Sequence, residues 1–501
     1  MPLWMWITLI SIAFSLPVIV TSYYQLLLFI SAFFYPHDLE KETPDLNEFP
    51  SVSILIACYN EKNVIAESLE AMSHLDYPLS KLQVVIADDS NDETTTTVDQ
   101  AALNLKNLGI DTIVSRREVR RNFKSGALNK ALRQVTGEFT LLLDADSRVK
   151  PETLKKGVHA ITTHDNTSFV SYRVGHYNRY FNRITELFAL SQDMGDTLSK
   201  MGSYKLNLPF SLQGGFTLVR TSTLREIGGW SEKTITEDAD LSWVLYLRGT
   251  RGIYLSNSRI MSEDPSTLET WKKQVARVQQ GWTKMEIDRF WSTLKNKEAS
   301  IKSKFILFLI FFAPFSNVSW IVTTFISALA VIFHIEGPSS SIFSSPIYVG
   351  ILTVPTAVFY LSGLYALKVQ NIMTLRNVVM IPLLSYTAAC MITRAAIGFT
   401  NGIMGKRGHF FRTPKRGLNK STEMNYYMDL RMDRNDYIEA IFSSIGLVLG
   451  LIILYYGVWI LSLSLLAYSI LTLKSLNFRR TTPSETDLKV EEIHDENIQN
   501  A

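Results

Sequence analysis

Apolar residues concentrate in two parts of the chain, the first 35 residues and the region after residue 300. Residues 3–35 contain no charged side chain. One helical membrane span needs about 20 apolar residues and two need roughly 40, so this stretch predicts a single long helix, kinked at Pro17. Further apolar blocks occupy 304–334, 346–367, 377–400 and 436–474, the last long enough for two spans. The pattern predicts an N-terminal transmembrane helix within 1–36 and a second group of membrane and interfacial helices over 301–478.

Basic residues between two of these blocks indicate the orientation of the chain. Residues 402–434 carry eight Lys or Arg residues against three acidic ones, an excess typical of a cytoplasmic segment. If the polar middle of the chain is also cytoplasmic, an even number of crossings separates the two, yet three apolar blocks lie between them. We therefore expect block 377–400, which holds Arg394, to lie at the interface; alternatively, the start of 304–334 lies flat. Residues 479–501 are polar and predict a disordered tail.

Strand and helix patterns alternate in residues 50–300. Apolar runs over 51–60, 82–92 and 137–147 each end in a polar turn, as expected for strands covered on both faces. Helical patterns over 64–75, 94–108 and 124–135 follow them. This order predicts an α/β domain with a mainly parallel sheet, in which ligands bind beyond the carboxyl ends of the strands.

Composition narrows the class of protein. The chain has 501 residues, of which 47% are hydrophobic and 19% charged, which excludes a disordered chain and a purely soluble one. A net charge of +3 gives no case for nucleic-acid binding. The two cysteines, Cys58 and Cys390, stand in unrelated contexts, which excludes a disulfide framework and a cysteine zinc site and favours a reducing cytosol.

Acidic residues follow two of the predicted strands. Asp88 and Asp89 end one strand, and Asp144 and Asp146 end another. Mg²⁺ and Mn²⁺ prefer oxygen ligands and often share them with phosphates. An isolated Asp-x-Asp is usually a solvated turn, but the preceding apolar run and the second acidic strand end favour a metal site.

Four other segments have residue types suited to binding or catalysis. Lys124 and Gly126 open a helix, which suits a diphosphate. Gln213–Gly214–Gly215 permits close approach of a backbone or simply makes a turn. Thr236 before Glu237 and Asp238 is compatible with both a helix N-cap and a general base. The helix over 271–282 carries two tryptophans, whose rings pack in a core or stack on sugars.

The order of these motifs resembles the membrane-embedded family 2 glycosyltransferases, the group of cellulose, chitin and hyaluronan synthases. The motifs that carry the resemblance are Asp88–Asp89, Lys124-x-Gly126-x-x-Asn129, Asp144-x-Asp146, Glu237–Asp238, Gln279–Gln280-x-Trp282 and Phe411–Arg412–Thr413–Pro414–Lys415. The resemblance implies a GT-A catalytic domain over 50–300 on the cytoplasmic face. It also implies a nucleotide-sugar donor, usually a UDP-sugar, with Mg²⁺ or Mn²⁺, and membrane lipids around the helices.

The resemblance also implies roles for individual residues. The implied donor-binding residues are Ala57, Tyr59, Glu61, Asp88, Asp89, Lys124, Asn129, Asp144, Arg412, Thr413 and Lys415, the last three in a gating loop within 402–434. Asp144 and Asp146 would hold the metal. Asp238, beside Glu237, would deprotonate the acceptor hydroxyl for an inverting displacement. The implied acceptor-binding residues are Gln213, Gly214, Gln279, Gln280 and Trp282.

One departure from the family pattern leaves the acceptor open. Gly281 stands where Gln-x-x-Arg-Trp has arginine, if Trp282 is the tryptophan, and Arg277 or Lys284 is the candidate substitute. The leading hypothesis is a multi-pass plasma-membrane enzyme that elongates a polysaccharide and exports it through its own helices. The alternatives are transfer of one sugar to a membrane lipid and, less favoured, a transporter or scaffold without transferase activity.

Overall fold

The fold combines one mixed sheet, flanked by helices, with a set of long apolar helices. The computed structural model describes residues 3–36, 48–164, 166–333, 346–406, 415, 417, 434–455 and 459–477. The strands are β1 Val52–Cys58, β2 Leu82–Asp88, β3 Asp111–Arg116, β4 Phe139–Asp144, β5 Arg148–Val149, β6 Thr167–His176, β7 Thr217–Arg220 and β8 Arg251–Ser262. The helices up to residue 247 are α1 Leu3–Ala32, α2 Ile65–Ser73, α3 Thr94–Asn107, α4 Phe123–Leu132, α5 Thr153–Thr163, α6 Arg183–Gly195, α7 Gly202–Leu206, α8 Thr221–Glu226 and α9 Glu237–Leu247. The later helices are α10 Leu268–Lys295, α11 Ile301–Ile332, α12 Pro346–Val369, α13 Leu375–Ile403, α14 Arg434–Tyr455 and α15 Trp459–Asn477.

The eight strands form one sheet in the order β3-β2-β1-β4-β7-β6-β8-β5. Strands β3, β2, β1 and β4 run parallel to one another, and β7 pairs antiparallel with both β4 and β6. The mixed, mainly parallel sheet predicted from the alternating pattern is confirmed. The parallel half places the carboxyl ends of β1, β2 and β4 at one edge.

The apolar runs of the sequence form the centre of this sheet. Ile54, Leu55 and Ile56 of β1 are all 0% exposed, because α2 and α3 cover one face of the sheet and α4 covers the other. Full burial of such a side chain stabilises the fold by about 1.5–3 kcal/mol. The parallel strands are therefore rigid supports for whatever lies at their ends.

Three helices are long and apolar enough to cross a membrane, judged by length and composition over the described residues. They are Ile12–Ala32 of α1, α13 and α14. A fourth is added if the two halves of α11, bent by 47°, form one span. The chain is thus a membrane protein with a sheet-based domain between its first apolar helix and the rest.

Helix α13 lies along α10 of the sheet-based domain. Gly398 contacts Ala276 and Gln279, and a Cβ at Gly402 would lie 2.7 Å from the Cβ of Thr283. Only glycines allow helices to approach this closely. The interfacial placement expected for 377–400 stays a prediction, because α13 also passes the length and composition test for a span.

Candidate active site

The register of the sheet brings the acidic strand ends together. Asp88 of β2 pairs with Cys58 of β1, and Asp144 of β4 pairs with Ala57. Both carboxylates therefore flank the end of β1, where the sequence places Ala57, Tyr59 and Glu61. This edge forms the candidate donor site.

Arginines at and just after the end of β3 neutralise the first acidic pair. Arg116 Nε donates to Asp88 Oδ2 at 2.9 Å, and Arg117 Nε donates to Asp89 Oδ1 at 2.9 Å. The guanidinium carbon of Arg120 lies 3.4 Å from the ring centroid of Tyr59, a close cation–π contact. The sequence interpretation missed these arginines, although the run Arg116–Arg117–Glu118–Val119–Arg120–Arg121 is a visible signal. A bound nucleotide would meet an arginine-rich wall beside the aspartates.

A lysine joins the second strand end to the Glu237–Asp238 pair. Lys124 Nζ lies 2.7 Å from Asp144 Oδ1 and 3.4 Å from Glu237 Oε1. Burial alone would lower the pKa of Lys124, but Asp144 and Glu237 outweigh it and raise the net pKa above its usual range. Burial raises the pKa of Glu237, and Asp238 adds to this, whereas Lys124 opposes it. Lys124 is therefore a fixed positive charge at the centre of the site.

Glycines 214 and 215 let the backbone reach these carboxylates. The N–H of Gly214 donates to Asp238 Oδ2 at 2.8 Å. A Cβ at Gly214 would lie 2.8 Å from Lys124 Nζ, 3.6 Å from Asp238 Oδ2 and 3.9 Å from Asp144 Oδ2. A Cβ at Gly215 would lie 2.5 Å from the backbone nitrogen of Asp144. Any side chain at 214 or 215 would crowd the groups that the site needs, so close approach is the reason for the glycine pair.

Asp146 is held by a separate set of groups. Its Oδ2 accepts from Ser262 Oγ at 2.7 Å, Glu263 N at 2.9 Å and Lys415 Nζ at 2.8 Å. Burial would raise the pKa of Asp146, but Lys415 and these donors outweigh it and lower the pKa. Lys415 thus lies beside Asp146, just after the end of β4. Its role in a loop that closes over the nucleotide stays a prediction, and Arg412 and Thr413 lie outside the described residues.

The donor atoms at Asp144 and Asp146 fit a hard divalent cation. Asp144 Oδ2 and Asp146 Oδ1 accept no hydrogen bond from the part of the chain that is described. Within that same part, no three His, Cys, Asp or Glu side chains are grouped to hold a metal. Mg²⁺ commonly uses one or two carboxylates together with substrate phosphates. Mg²⁺ or Mn²⁺ held by Asp144, Asp146 and a diphosphate stays a prediction.

Asn129 anchors a loop in this structure. Its Oδ1 accepts from Trp230 N at 2.8 Å, and its Nδ2 donates to Trp230 O at 2.9 Å. These two bonds tie α4, which carries Lys124, to the segment that leads into α9. The nucleotide contact expected of Asn129 stays a prediction.

Helix α9 begins at Glu237, with Thr236 at its N-cap position, as the sequence suggested. The hydroxyl of Thr236 does not cap the helix; it bonds with Thr234 Oγ1 at 3.0 Å. A Cβ at Gly281 of α10 would lie 2.5 Å from Thr236 Cγ2 and 2.8 Å from its Oγ1. Gly281 thus lets α10 press against the start of α9, and an arginine at this position would displace it.

The structure does not bring the predicted acceptor residues of α10 to the carboxylates. The side chain of Gln279 faces Gly398 of α13, and Gln280 Nε2 donates to the carbonyl of Lys406 at 3.0 Å. Trp282 packs on a cluster that includes Trp243, Met285 and Leu307. Their acceptor role stays a prediction, while Gly214, the residue after Gln213, bonds Asp238.

A second register of the family pattern fits α10. Gln274–Val275–Ala276–Arg277–Val278 matches Gln-x-x-Arg-Trp with valine in place of tryptophan. Gln274, Arg277 and Gly281 fall at i, i+3 and i+7, which share one helix face, and Gly281 faces Thr236. Lys284, the other candidate substitute, pairs with Asp288 one turn along. Which residue takes the place of the arginine stays a prediction.

Comparison with known proteins identifies the domain. The family described as "Glycosyltransferase like family 2" matches residues 50–281. A probable glucomannan 4-beta-mannosyltransferase 2 of Oryza sativa subsp. japonica is 26% identical over 335 residues, covering 66% of this chain and 57% of that protein. A probable glucomannan 4-beta-mannosyltransferase 6 of the same organism is 29% identical over 317 residues, covering 62% of this chain and 54% of that protein. The chain therefore spans little more than half the length of these curated relatives.

One solved structure matches the fold over most of the chain. It is the mannosyltransferase PcManGT from Pyrobaculum calidifontis in complex with GDP-Man and Mn²⁺, with 19% identity and a TM-score of 0.52. The match covers 80% of this chain and 100% of that one. Residues 50–281 match the family 2 glycosyltransferases, and the solved neighbour shows a GT-A fold, so the resemblance and the fold predicted from the sequence are confirmed over this domain.

Proposed function

We propose that this chain transfers a hexose from a nucleoside diphosphate sugar onto a carbohydrate acceptor, with inversion at the anomeric carbon. The observation that carries the proposal is the grouping of Lys124, Asp144, Glu237 and Asp238 around Gly214. It places a cation for a diphosphate and a carboxylate for a hydroxyl within one site. The site lies at the edge of the sheet where such ligands bind.

The reaction is a direct displacement. The Asp238 carboxylate takes the proton of the acceptor hydroxyl as its oxygen bonds to the anomeric carbon. The bond from that carbon to the diphosphate oxygen breaks, and the nucleoside diphosphate leaves with the electron pair. Lys124, kept charged by Asp144 and Glu237, stabilises the negative charge on the leaving group. A divalent cation held by Asp144 and Asp146 would supply further positive charge for the diphosphate.

Two arguments bear on the identity of the donor, and they favour different nucleotide sugars. The family resemblance favours a UDP-sugar, bound by Ala57, Tyr59, Glu61, Asp88 and Asp89. The curated relatives are named for mannosyl transfer, and the solved neighbour is described with GDP-Man. Both UDP-sugars and GDP-mannose therefore belong in the first set of donors tested.

The acceptor proposed is a growing polysaccharide at the cytoplasmic face of the plasma membrane. The printed names of the relatives, which refer to glucomannan, support a glycan acceptor. The basic segment 402–434 supports the cytoplasmic side, because such segments stay in the cytoplasm. Export through the apolar helices is part of the same proposal.

The test uses purified full-length protein in lipid bilayers with labelled UDP-sugars or GDP-mannose and Mg²⁺ or Mn²⁺. The label is followed into free nucleotide, lipid extract and high-mass material. We expect high-mass product that disappears in Asp238→Asn but persists in Asp288→Asn, the same chemical change on the exposed side of α10. Label confined to lipid would replace the polysaccharide acceptor with a lipid one. Transfer that survives Asp238→Asn would refute the proposed base.

A further inference from the structure

A π-helical turn lies between α6 and α7, against the first membrane helix. It spans Asp196–Met201, and π-turns inside helices occur frequently at functional sites. Ser31 Oγ of α1 donates to the carbonyl of Gly202 at 3.0 Å, directly after the turn. The turn is therefore fixed by the membrane helix on one side.

The turn carries a buried lysine. Lys200 is 2% exposed, and its ammonium lies 3.1 Å from Asp196 Oδ1. Its Nζ also donates to Gln213 Oε1 at 2.7 Å. Burial lowers the pKa of Lys200 even though Asp196 opposes the shift. Burying an ammonium group is costly unless it is paired and hydrogen-bonded, so both contacts are needed to keep Lys200 here.

The bond to Lys200 sets the orientation of the Gln213 amide. A lysine ammonium has only donors, so the amide oxygen must face it and the amide nitrogen must point elsewhere. This removes the usual ambiguity of a glutamine side chain. Among the residues that the structure describes, Gln213 Nε2 has no acceptor, and the bond from Lys200 is the only one to this side chain.

The backbone that follows Gln213 contacts the proposed base and the carboxylate at the end of β4. Gly214 N donates to Asp238 Oδ2 at 2.8 Å, and Gly215 packs on Asp144. Residues 213–215 thus connect Lys200 to the proposed base without any direct bond between Lys200 and Asp238. Lys200 bonds one end of this short segment, through Gln213.

We propose that Lys200 is a positioning residue for sugar transfer, holding Gln213 so that its amide N–H donates to an oxygen of the acceptor sugar. The same bond keeps segment 213–215, and with it Asp238, at the acceptor hydroxyl. This inference rests on the proposed function. It assigns Gln213 to acceptor binding. Lys200 would act on the sugar only through Gln213.

The kinetic test is a double-mutant cycle of Lys200→Met and Gln213→Leu in the full-length protein. The donor is the nucleotide sugar that the wild type uses, and the acceptor is a manno- or cello-oligosaccharide. Each single variant should lower kcat/KM for the acceptor about tenfold or more, since a charge-supported hydrogen bond is lost, with the KM for the donor unchanged. The double variant should be no worse than Gln213→Leu alone, because Lys200 acts through Gln213. Losses that multiply, or a changed donor KM alone, would overturn the proposal.

A thermal-unfolding cycle on the same four proteins tests the Lys200–Gln213 bond without any activity. Non-additive shifts in Tm support the bond, and additive shifts refute it. If Lys200→Met does not fold, the variant Lys200→Met/Asp196→Asn replaces it in the kinetic and the thermal cycle, because it removes both charges of the buried pair. A wild type that transfers no sugar refutes the proposed function, whereas an additive cycle in an active enzyme refutes only the role of Lys200.

Discussion

Gly281 supports a prediction that runs against the family pattern, namely that adding a side chain there destabilises the protein. A Cβ at this position would lie 2.5 Å from Thr236 Cγ2, 2.8 Å from Thr236 Oγ1 and 3.0 Å from Ile235 Cγ1. Contacts of that length force α10 away from the residue that precedes Glu237. Overpacking of this kind costs typically about 1–3 kcal/mol. Gly281→Ala should therefore unfold about 1–3 °C lower, since a chain of 501 residues loses about 1 °C for each kcal/mol.

The assay compares four proteins in detergent by thermal unfolding: the wild type, Gly281→Ala, Thr236→Ala and the double variant. Thr236→Ala removes two of the three crowding atoms. The cost of Gly281→Ala should therefore be smaller in that background. Gly281→Arg, which restores the arginine of the first register, should lower both stability and activity. A stable Gly281→Arg with wild-type activity, or a Gly281→Ala cost that Thr236→Ala leaves unchanged, would refute the packing argument.

Three further variants test other parts of the structure. Burial holds the pKa of Glu286 well above its usual range and its two oxygens have no partner among the described residues, so the folded state keeps a proton that the unfolded state releases. Above about pH 4.5, Glu286→Gln should therefore be more stable than the wild type. The difference in their free energies of unfolding should grow by up to roughly 1.4 kcal/mol per pH unit until the pH reaches the folded-state pKa of Glu286. A difference that stays constant from pH 5 to 8 in thermal unfolding would contradict this. Lys272→Met removes one of the two cations that lie 3.1 Å from the buried Glu439, the other being Arg394, and should cost about 1–3 kcal/mol. Part of this cost should be recovered in Lys272→Met/Glu439→Gln. Equal loss of stability in both variants, measured by thermal unfolding, would show that the cost does not arise from Glu439. Asn129→Ala removes the two hydrogen bonds to the Trp230 backbone and should cost about 1–3 kcal/mol of stability. The control, Asn104→Ala on α3, should change stability little. Equal Tm values for the two variants would show that Asn129 does not anchor the loop.

The sequence predicted the donor edge because its signals are local. A short, mostly apolar run that ends in acidic residues predicts both the strand and the position of its carboxylates, as in β2 and β4. Parallel pairing then brings Asp88 and Asp144 to the same edge, whatever the loops do. The partner of Asp89 was not predictable in this way, because Arg117 lies 28 residues away and meets it only through the pairing of β2 with β3.

The predicted acceptor residues lie on α10, and the direction in which each of them points depends on how this helix is rotated about its axis. No local pattern in the sequence of α10 predicts that rotation. Gln279, Gln280 and Trp282 are adjacent in sequence but point to different neighbours, because α10 is contacted by α13 on one side and the start of α9 on another. The glycines that set these contacts, Gly281, Gly398 and Gly402, give no periodic signal. Lys200 was equally hidden, since a lysine in a polar sequence context usually predicts an exposed surface.

Helix α10 connects the membrane helices to the proposed base. Its contacts suggest why an acceptor site would depend on both the membrane helices and the sheet-based domain. Near its start, Lys272 is 1% exposed and bonds Glu439 of α14, which in turn lies 3.1 Å from Arg394 of α13. Two turns and more along the same helix, Gly281 rests on the residue before Glu237. A shift of α13 or α14 must therefore move α10, and because packed helices shift as units, it must also move the start of α9. Lys200 makes the corresponding connection from α1 through Gln213. The base is thus held from two sides by elements that contact membrane helices, so its position relative to an acceptor depends on how those helices pack.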